Sequence, residues 1–120
     1  MAKFMLILHD TPGNFKHLAP DELQRVVEKY IAWAGKIRES GKSVGSNKLM
    51  EEGGRIVTRK RGELNVVDGP YSEAKEVVGG YFVVKAEDYN EAVQLVRDCP
   101  HLDFGRIEIR QVDPMGCSGE

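Results

Sequence analysis

The chain has 120 residues, 41% of them hydrophobic and 30% charged, with 17 Lys and Arg against 19 Asp and Glu for a formal net charge of −2. That length suits one domain and is short for two, and the composition is that of a globular chain, not a disordered one. Near-balanced charge gives no footing to a nonspecific nucleic-acid or polybasic membrane binder, and no apolar run reaches the ~18–20 residues that span a bilayer.

In chain order, Phe4 to Leu8 is a short apolar run closed by His9-Asp10 and the turn-rich Thr11-Pro12-Gly13-Asn14. It reads as a strand apolar on both faces, and is too short for a signal-peptide core. Pro20, Asp21 and Glu22 open a helix, since Pro suits the first helical position and carboxylates favour the positive end of the dipole. Leu23, Val26, Val27, Tyr30, Ile31, Ala34 and Ile37 follow at helical spacing, and Gly41 stands where a left-handed C-terminal cap is expected. Lys42 to Leu49 predicts a weaker strand. Arg55–Arg59 and Leu64–Asp68 predict a hairpin joined near Arg61-Gly62, and Asp68-Gly69-Pro70-Tyr71 is a turn signal. Val77 to Ala86 reads as a second strand apolar on both faces. Asp88 and Glu91 have capping-box spacing ahead of a helix carrying Ala92, Val93, Leu95, Val96 and Cys99, which Pro100 stops. Arg106 to Val112 alternates as a last strand.

The order β-α-β-(hairpin)-β-α-β predicts an α+β, ferredoxin-like domain over residues 1–113, with residues 114–120 as a flexible tail. Its two helices can cover one sheet face. Two strands are nevertheless apolar on both, so a second subunit over the open face, as a homodimer, is the simplest expectation; the hairpin or tail folding over it is the alternative. Cys99 and Cys117 have no metal-ligand spacing and read as free thiols of a cytoplasmic protein.

The segment from Val67-Asp68-Gly69-Pro70-Tyr71-Ser72-Glu73 through Ala74-Lys75-Glu76-Val77-Val78-Gly79-Gly80-Tyr81 resembles the signature of the YCII-related family in its Asp-Gly-Pro-Phe branch. Cys99-Pro100-His101-Leu102, Gly105 to Arg110, and Phe4 to Leu8 resemble flanking parts of that branch, so the likeness covers nearly all of residues 3–113. The resemblance implies a ferredoxin-like dimeric α/β barrel, usually cytoplasmic. It implies little about activity: a few relatives act on small ring compounds, as dehydrochlorinases and muconolactone-isomerase-like proteins do, and others accompany sigma factors. Smaller members carry a His in the first helix paired with an Asp. Here Tyr30 stands at the matching position, and Asp68 is the candidate acid; a Tyr with a reference pKa near ~10 is a poor base.

Each candidate has a structural reading beside its functional one. Asp68 either caps a turn or carries a proton at a strand end. Tyr30 is either a core aromatic or a hydrogen-bond donor into a pocket, and Tyr71 would help shape that pocket. Glu73 and Lys75 are either a solvated turn or, over a pocket mouth, a proton acceptor and an anion anchor. Gly79-Gly80 marks a sheet bend or, at Gly80, a close approach of ligand. His101 lies in the connection to the last strand, and His9-Asp10 ends the first, where sheet-edge loops build sites. The three histidines lack ligand spacing, so no metal is expected, and the absence of nucleotide-binding or nucleophile motifs leaves no cofactor expected. Arg55, Arg59, Lys60 and Arg61 read as a solvated hairpin. Tyr81 and Phe82 fall on opposite strand faces, unlike the paired rings of RNA-binding sheets, so nucleic acid is not an expected partner. Two functions follow: a small-molecule-binding or accessory homodimer, with a protein partner such as a sigma factor, and a cofactor-independent enzyme transferring protons on a small polar ring or enol.

Overall fold

The structure, a computed structural model, describes residues 1–69 and 76–116. Four strands form one antiparallel sheet: β1 (Ala2–Asp10), β2 (Ser43–Lys48), β5 (Val77–Ala86) and β6 (Gly105–Gln111), in the order β2-β5-β1-β6. Among the described residues, the strands β3 (Arg55–Lys60) and β4 (Glu63–Asp68) pair only with each other, as a separate two-stranded sheet. Two helices, α1 (Pro20–Glu39) and α2 (Tyr89–Val96), are the crossovers. This is the α+β, ferredoxin-like arrangement that the element order predicts.

Local chemistry accounts for the boundaries. Pro20 begins α1, and the Glu22 carboxylate accepts from the Ala19 N–H at 3.0 Å. Gly41, at φ 79°, turns the chain out of the helix in the left-handed region that a side chain resists. Asp88 caps α2 by accepting from the Glu91 N–H at 2.9 Å. Arg61 and Gly62 both have positive φ, the backbone of a tight hairpin turn, and join β3 to β4.

Alternation along β1 decides the core. Phe4, Leu6 and Leu8 point to the helix side and are buried, together with Val84 and Ala86 of β5, Trp33 and Ile37 of α1, and Ala92 and Val96 of α2. The Trp33 and Phe82 rings meet edge to face at 4.9 Å, and the Trp33 indole N–H donates to Asp98 at 3.2 Å. The apolar stripe expected of α1 splits in two. Val26, Tyr30, Trp33 and Ile37 turn towards the sheet, whereas Leu23, Val27 and Ile31 stay exposed. Trp33 over Phe82, Ile37 in the core and Tyr30 on His101 together hold this rotation, which leaves the residues one position beyond the inward stripe facing outward.

On the opposite sheet face, Met5 and Ile7 of β1 lie across from Val83 and Tyr81 of β5 and beside Arg110 and Glu108 of β6. Those four β1 and β5 side chains are half-buried, and no helix lies over them among the described residues.

Candidate functional site

The inward stripe of β1 does not stop at Leu8. Its next member is Asp10, a carboxylate in line with Phe4, Leu6 and Leu8 at the sheet's end. Two glycines make room there. A Cβ on Gly79 would lie 2.0 Å from Asp10 Oδ2, and one on Gly105 would lie 2.0 Å from the His9 carbonyl oxygen and 3.0 Å from His101 Nε2. A bulge between Leu8 and His9 in the β1–β5 pairing leaves Gly79 as the extra residue that receives the carboxylate.

His101 sits in a short 3-10 turn (Pro100–Asp103) between α2 and β6 and is 2% exposed. Both ring nitrogens are engaged. Nε2 lies 2.9 Å from the His9 carbonyl, which can only accept, so Nε2 carries a proton. Nδ1 lies 2.7 Å from the Tyr30 hydroxyl, which donates to it whenever the ring is neutral. Asp10 Oδ1 is 3.4 Å from Nε2, close enough for charge attraction whenever the ring is protonated. It is nevertheless buried without a hydrogen bond, because the Nε2 proton points at the carbonyl instead.

The electrostatics follow from this packing. Burial pushes the Asp10 carboxyl above the ordinary carboxylate value; His101 and Lys48 pull the other way, and Glu51 adds to the rise. Burial, and then the nearby Asp10, pushes the Tyr30 phenol further up, so Tyr30 stays protonated. Cys99, buried just before the 3-10 turn, is pushed up to about 11, chiefly by desolvation, and is an unreactive thiol. Asp10 is more accessible than the His101 beside it: its side chain is 20% exposed against 3% for His101. A carboxylate with a raised pKa, held against a hydrogen-bonded imidazole, can take up and return a proton.

On the other sheet face His9 hydrogen-bonds Glu108 at 2.9 Å, and that bond holds the Glu108 carboxyl below its ordinary range. Residue 9 therefore touches both sides, by its side chain outward and its carbonyl inward.

Of the residues singled out from sequence, Tyr30 and His101 come together. Asp68 does not join them: it ends β4 on the separate hairpin, 87% exposed, paired with Arg55 at 3.3 Å. The strand-end carboxylate beside His101 is Asp10. Gly80 pairs with Lys48 and Leu8, and a Cβ there would lie 2.9 Å from the Asn47 carbonyl oxygen, so its missing side chain serves the approach of β2 to β5. Tyr71, Glu73 and Lys75 lie outside the described residues. The signal for Asp10 was in the alternation of Phe4, Leu6, Leu8 and Asp10; for Gly105, which faces a carbonyl from a distant strand, the sequence held none.

The family model for the YCII-related domain matches residues 2–116. The chain belongs to that family. Among solved structures, this YCII-related chain is similar to 5-chloro-2-hydroxyhydroquinone dehydrochlorinase from Burkholderia phenoliruptrix AC1100, in complex with 2,5-dihydroxybenzoquinone. The TM-score is 0.54 at 13% identity, covering 92% of this chain and 93% of the other. That likeness is one of fold. Among curated proteins, none matches the chain significantly. No helix among the described residues is long and apolar enough to cross a membrane.

Proposed function

We propose that this YCII-related protein binds a small polar ring compound beside Asp10 and moves a proton on it without a cofactor. The observation that carries this reading is the Asp10–His101–Tyr30 constellation, in which the reachable carboxylate has a raised pKa and Gly79, lacking a side chain, keeps its place open. In the reaction, a C–H bond next to a carbonyl breaks. Its proton goes to Asp10, and the electron pair moves onto the carbonyl oxygen as an enolate. Return of the proton to another carbon isomerises the ring; loss of a leaving group instead gives elimination. The fold neighbour's name and ligand, a ring dehydrochlorinase holding a dihydroxybenzoquinone, support this substrate class. The working unit in this proposal is a cytoplasmic homodimer, supported by the open face of Met5, Ile7, Tyr81 and Val83 and by the free, buried Cys99.

The test is hydrogen–deuterium exchange at the ring carbon of 2,5-dihydroxybenzoquinone and related enols, which is an acidic CH2 beside a carbonyl in their keto tautomers, followed by mass spectrometry. Asp10→Asn is expected to slow exchange by about 10²-fold or more, the usual scale of a general base. Exchange at the wild-type rate in Asp10→Asn would sink the proposal. A second reading, ligand binding without turnover, is favoured by one observation: both nitrogens of His101 are already occupied. Thermal stabilisation by a ligand, with no exchange and no product, would establish it.

A further inference from the structure

Lys48 ends β2, and its place on the sheet follows from register. It pairs with Gly80, and Gly80 pairs with Leu8. Paired residues in antiparallel strands share a face, and Leu8 faces the helices. Lys48 therefore stands on the face that carries Asp10, at the same end of the sheet. The strand between them is β5, whose residues there are Gly79 and Gly80, so no β5 side chain separates the ammonium from the carboxylate. The Leu49 N–H bonds the Gly79 carbonyl at 2.9 Å and fixes the end of β2 against that glycine pair. Two strand spacings put β2 and β1 about 10 Å apart. One substituted six-membered ring, together with the flexible lysine stem, bridges that gap. Lys48 is exposed and makes no ion pair among the described residues; Glu51, just beyond, is the acid whose charge also reaches Asp10.

We propose that Lys48 is the anion anchor of the site, so that the ligand is a small ring carrying a phenolate, enolate or carboxylate oxygen at one edge, with the opposite edge at Asp10. This deepens the proton-transfer reading and rests on it. An ammonium placed there also stabilises the oxyanion that forms when Asp10 removes a proton, since opposite charges in a partly desolvated site attract more strongly than in water.

The probes are 4-nitrophenolate, titrated at pH 8.5 by its absorbance, and the uncharged 4-nitroanisole, titrated by calorimetry. Wild type is expected to bind the phenolate at least about tenfold more tightly than the ether, one decade being an ordinary contribution from a single charge contact. Lys48→Met is expected to remove that preference by weakening the phenolate alone, Lys48→Arg to keep it, and Glu51→Gln to strengthen phenolate binding. Equal weakening of both probes by Lys48→Met, unchanged phenolate binding, or no phenolate binding by wild type would each overturn the inference. Asp10→Asn separates it from the reading it rests on. Lost exchange in Asp10→Asn with intact phenolate binding in Lys48→Met keeps the proton site and removes the anchor. Unaltered exchange in Asp10→Asn with lost phenolate binding in Lys48→Met does the reverse.

Discussion

Asp10 is a charged residue on a stripe otherwise made of Phe4, Leu6 and Leu8, and folding bears a cost for it. Burial raises its pKa above the ordinary 3.8. The folded chain therefore holds that proton more tightly than the unfolded chain, and between the two pKa values the folded state binds more protons. Stability then falls as pH rises through that window, and above the ordinary carboxylate range burying Asp10 costs stability. Asp10→Asn is expected to raise the melting temperature at pH 7 by on the order of a few °C, with the gain shrinking as pH falls towards 3.8. A melting-temperature difference independent of pH would show that burial of the charge is not the cause. Tyr30 gives a second residue-scale expectation. Its hydroxyl donates to His101, so Tyr30→Phe leaves Nδ1 of a 2% exposed ring without a donor. A loss of about 1–3 kcal/mol, the scale of an unsatisfied buried group, is expected in urea unfolding. Both effects were only half legible in the sequence. The helical position of Tyr30 was plain, but its partner lies 71 residues on, and no spacing rule connects them.

The elements around the site show where local rules suffice and where they stop. Pro20, Gly41 and the Arg61-Gly62 turn act through their own backbone and Asp88 through a carboxylate three residues from its partner, and each sits where the sequence predicts a boundary. The rotation of α1 is different: Leu23, Val27 and Ile31 fit helical spacing as well as Val26, Tyr30 and Ile37 do. Tertiary contacts mark the inward stripe: Trp33 against Phe82, Ile37 in the core and Tyr30 on His101. Gly79 and Gly105 separate the site from the scaffold by experiment. Alanine at 105 would drive its Cβ to 2.0 Å from the His9 carbonyl oxygen, a backbone atom of the central strand that cannot move aside. Gly105→Ala should destabilise by about 1–3 kcal/mol or more. Alanine at 79 would meet Asp10 Oδ2, the tip of a side chain that can rotate away. Gly79→Ala should therefore fold, as judged by circular dichroism, and lose proton exchange. Equal stability losses in the two variants would contradict this account.

At the scale of the molecule, the sheet order was legible because two βαβ units joined by a hairpin leave few antiparallel arrangements, and β2-β5-β1-β6 is one of them. Which sheet end holds the candidate site is less legible, because the Asp-Gly-Pro-Tyr signature points to Asp68, and the pairing puts that residue on a hairpin of its own. The radius of gyration, 16.5 Å, exceeds the ~14 Å expected for a compact chain of this length. If the proposed homodimer forms across the open face, a charge at its centre should dissolve it. Ile7→Asp is expected to convert a dimer to a monomer in sedimentation equilibrium, since a stable interface buries roughly 800 Å² per partner and tolerates no unpaired charge at its core. A wild-type monomer at every concentration would remove the dimer.

The Arg61-Gly62 turn has one more consequence. A cut there leaves β1, α1, β2 and β3 in one piece and β4, β5, α2 and β6 in the other. Every pairing in the four-stranded sheet, β1 with β5, β1 with β6 and β2 with β5, then runs between the pieces. Neither fragment keeps a sheet strand pair by itself apart from its partner. Two separately expressed halves should stay unfolded alone and recover helix and sheet only on mixing, which would make the chain a natural split reporter.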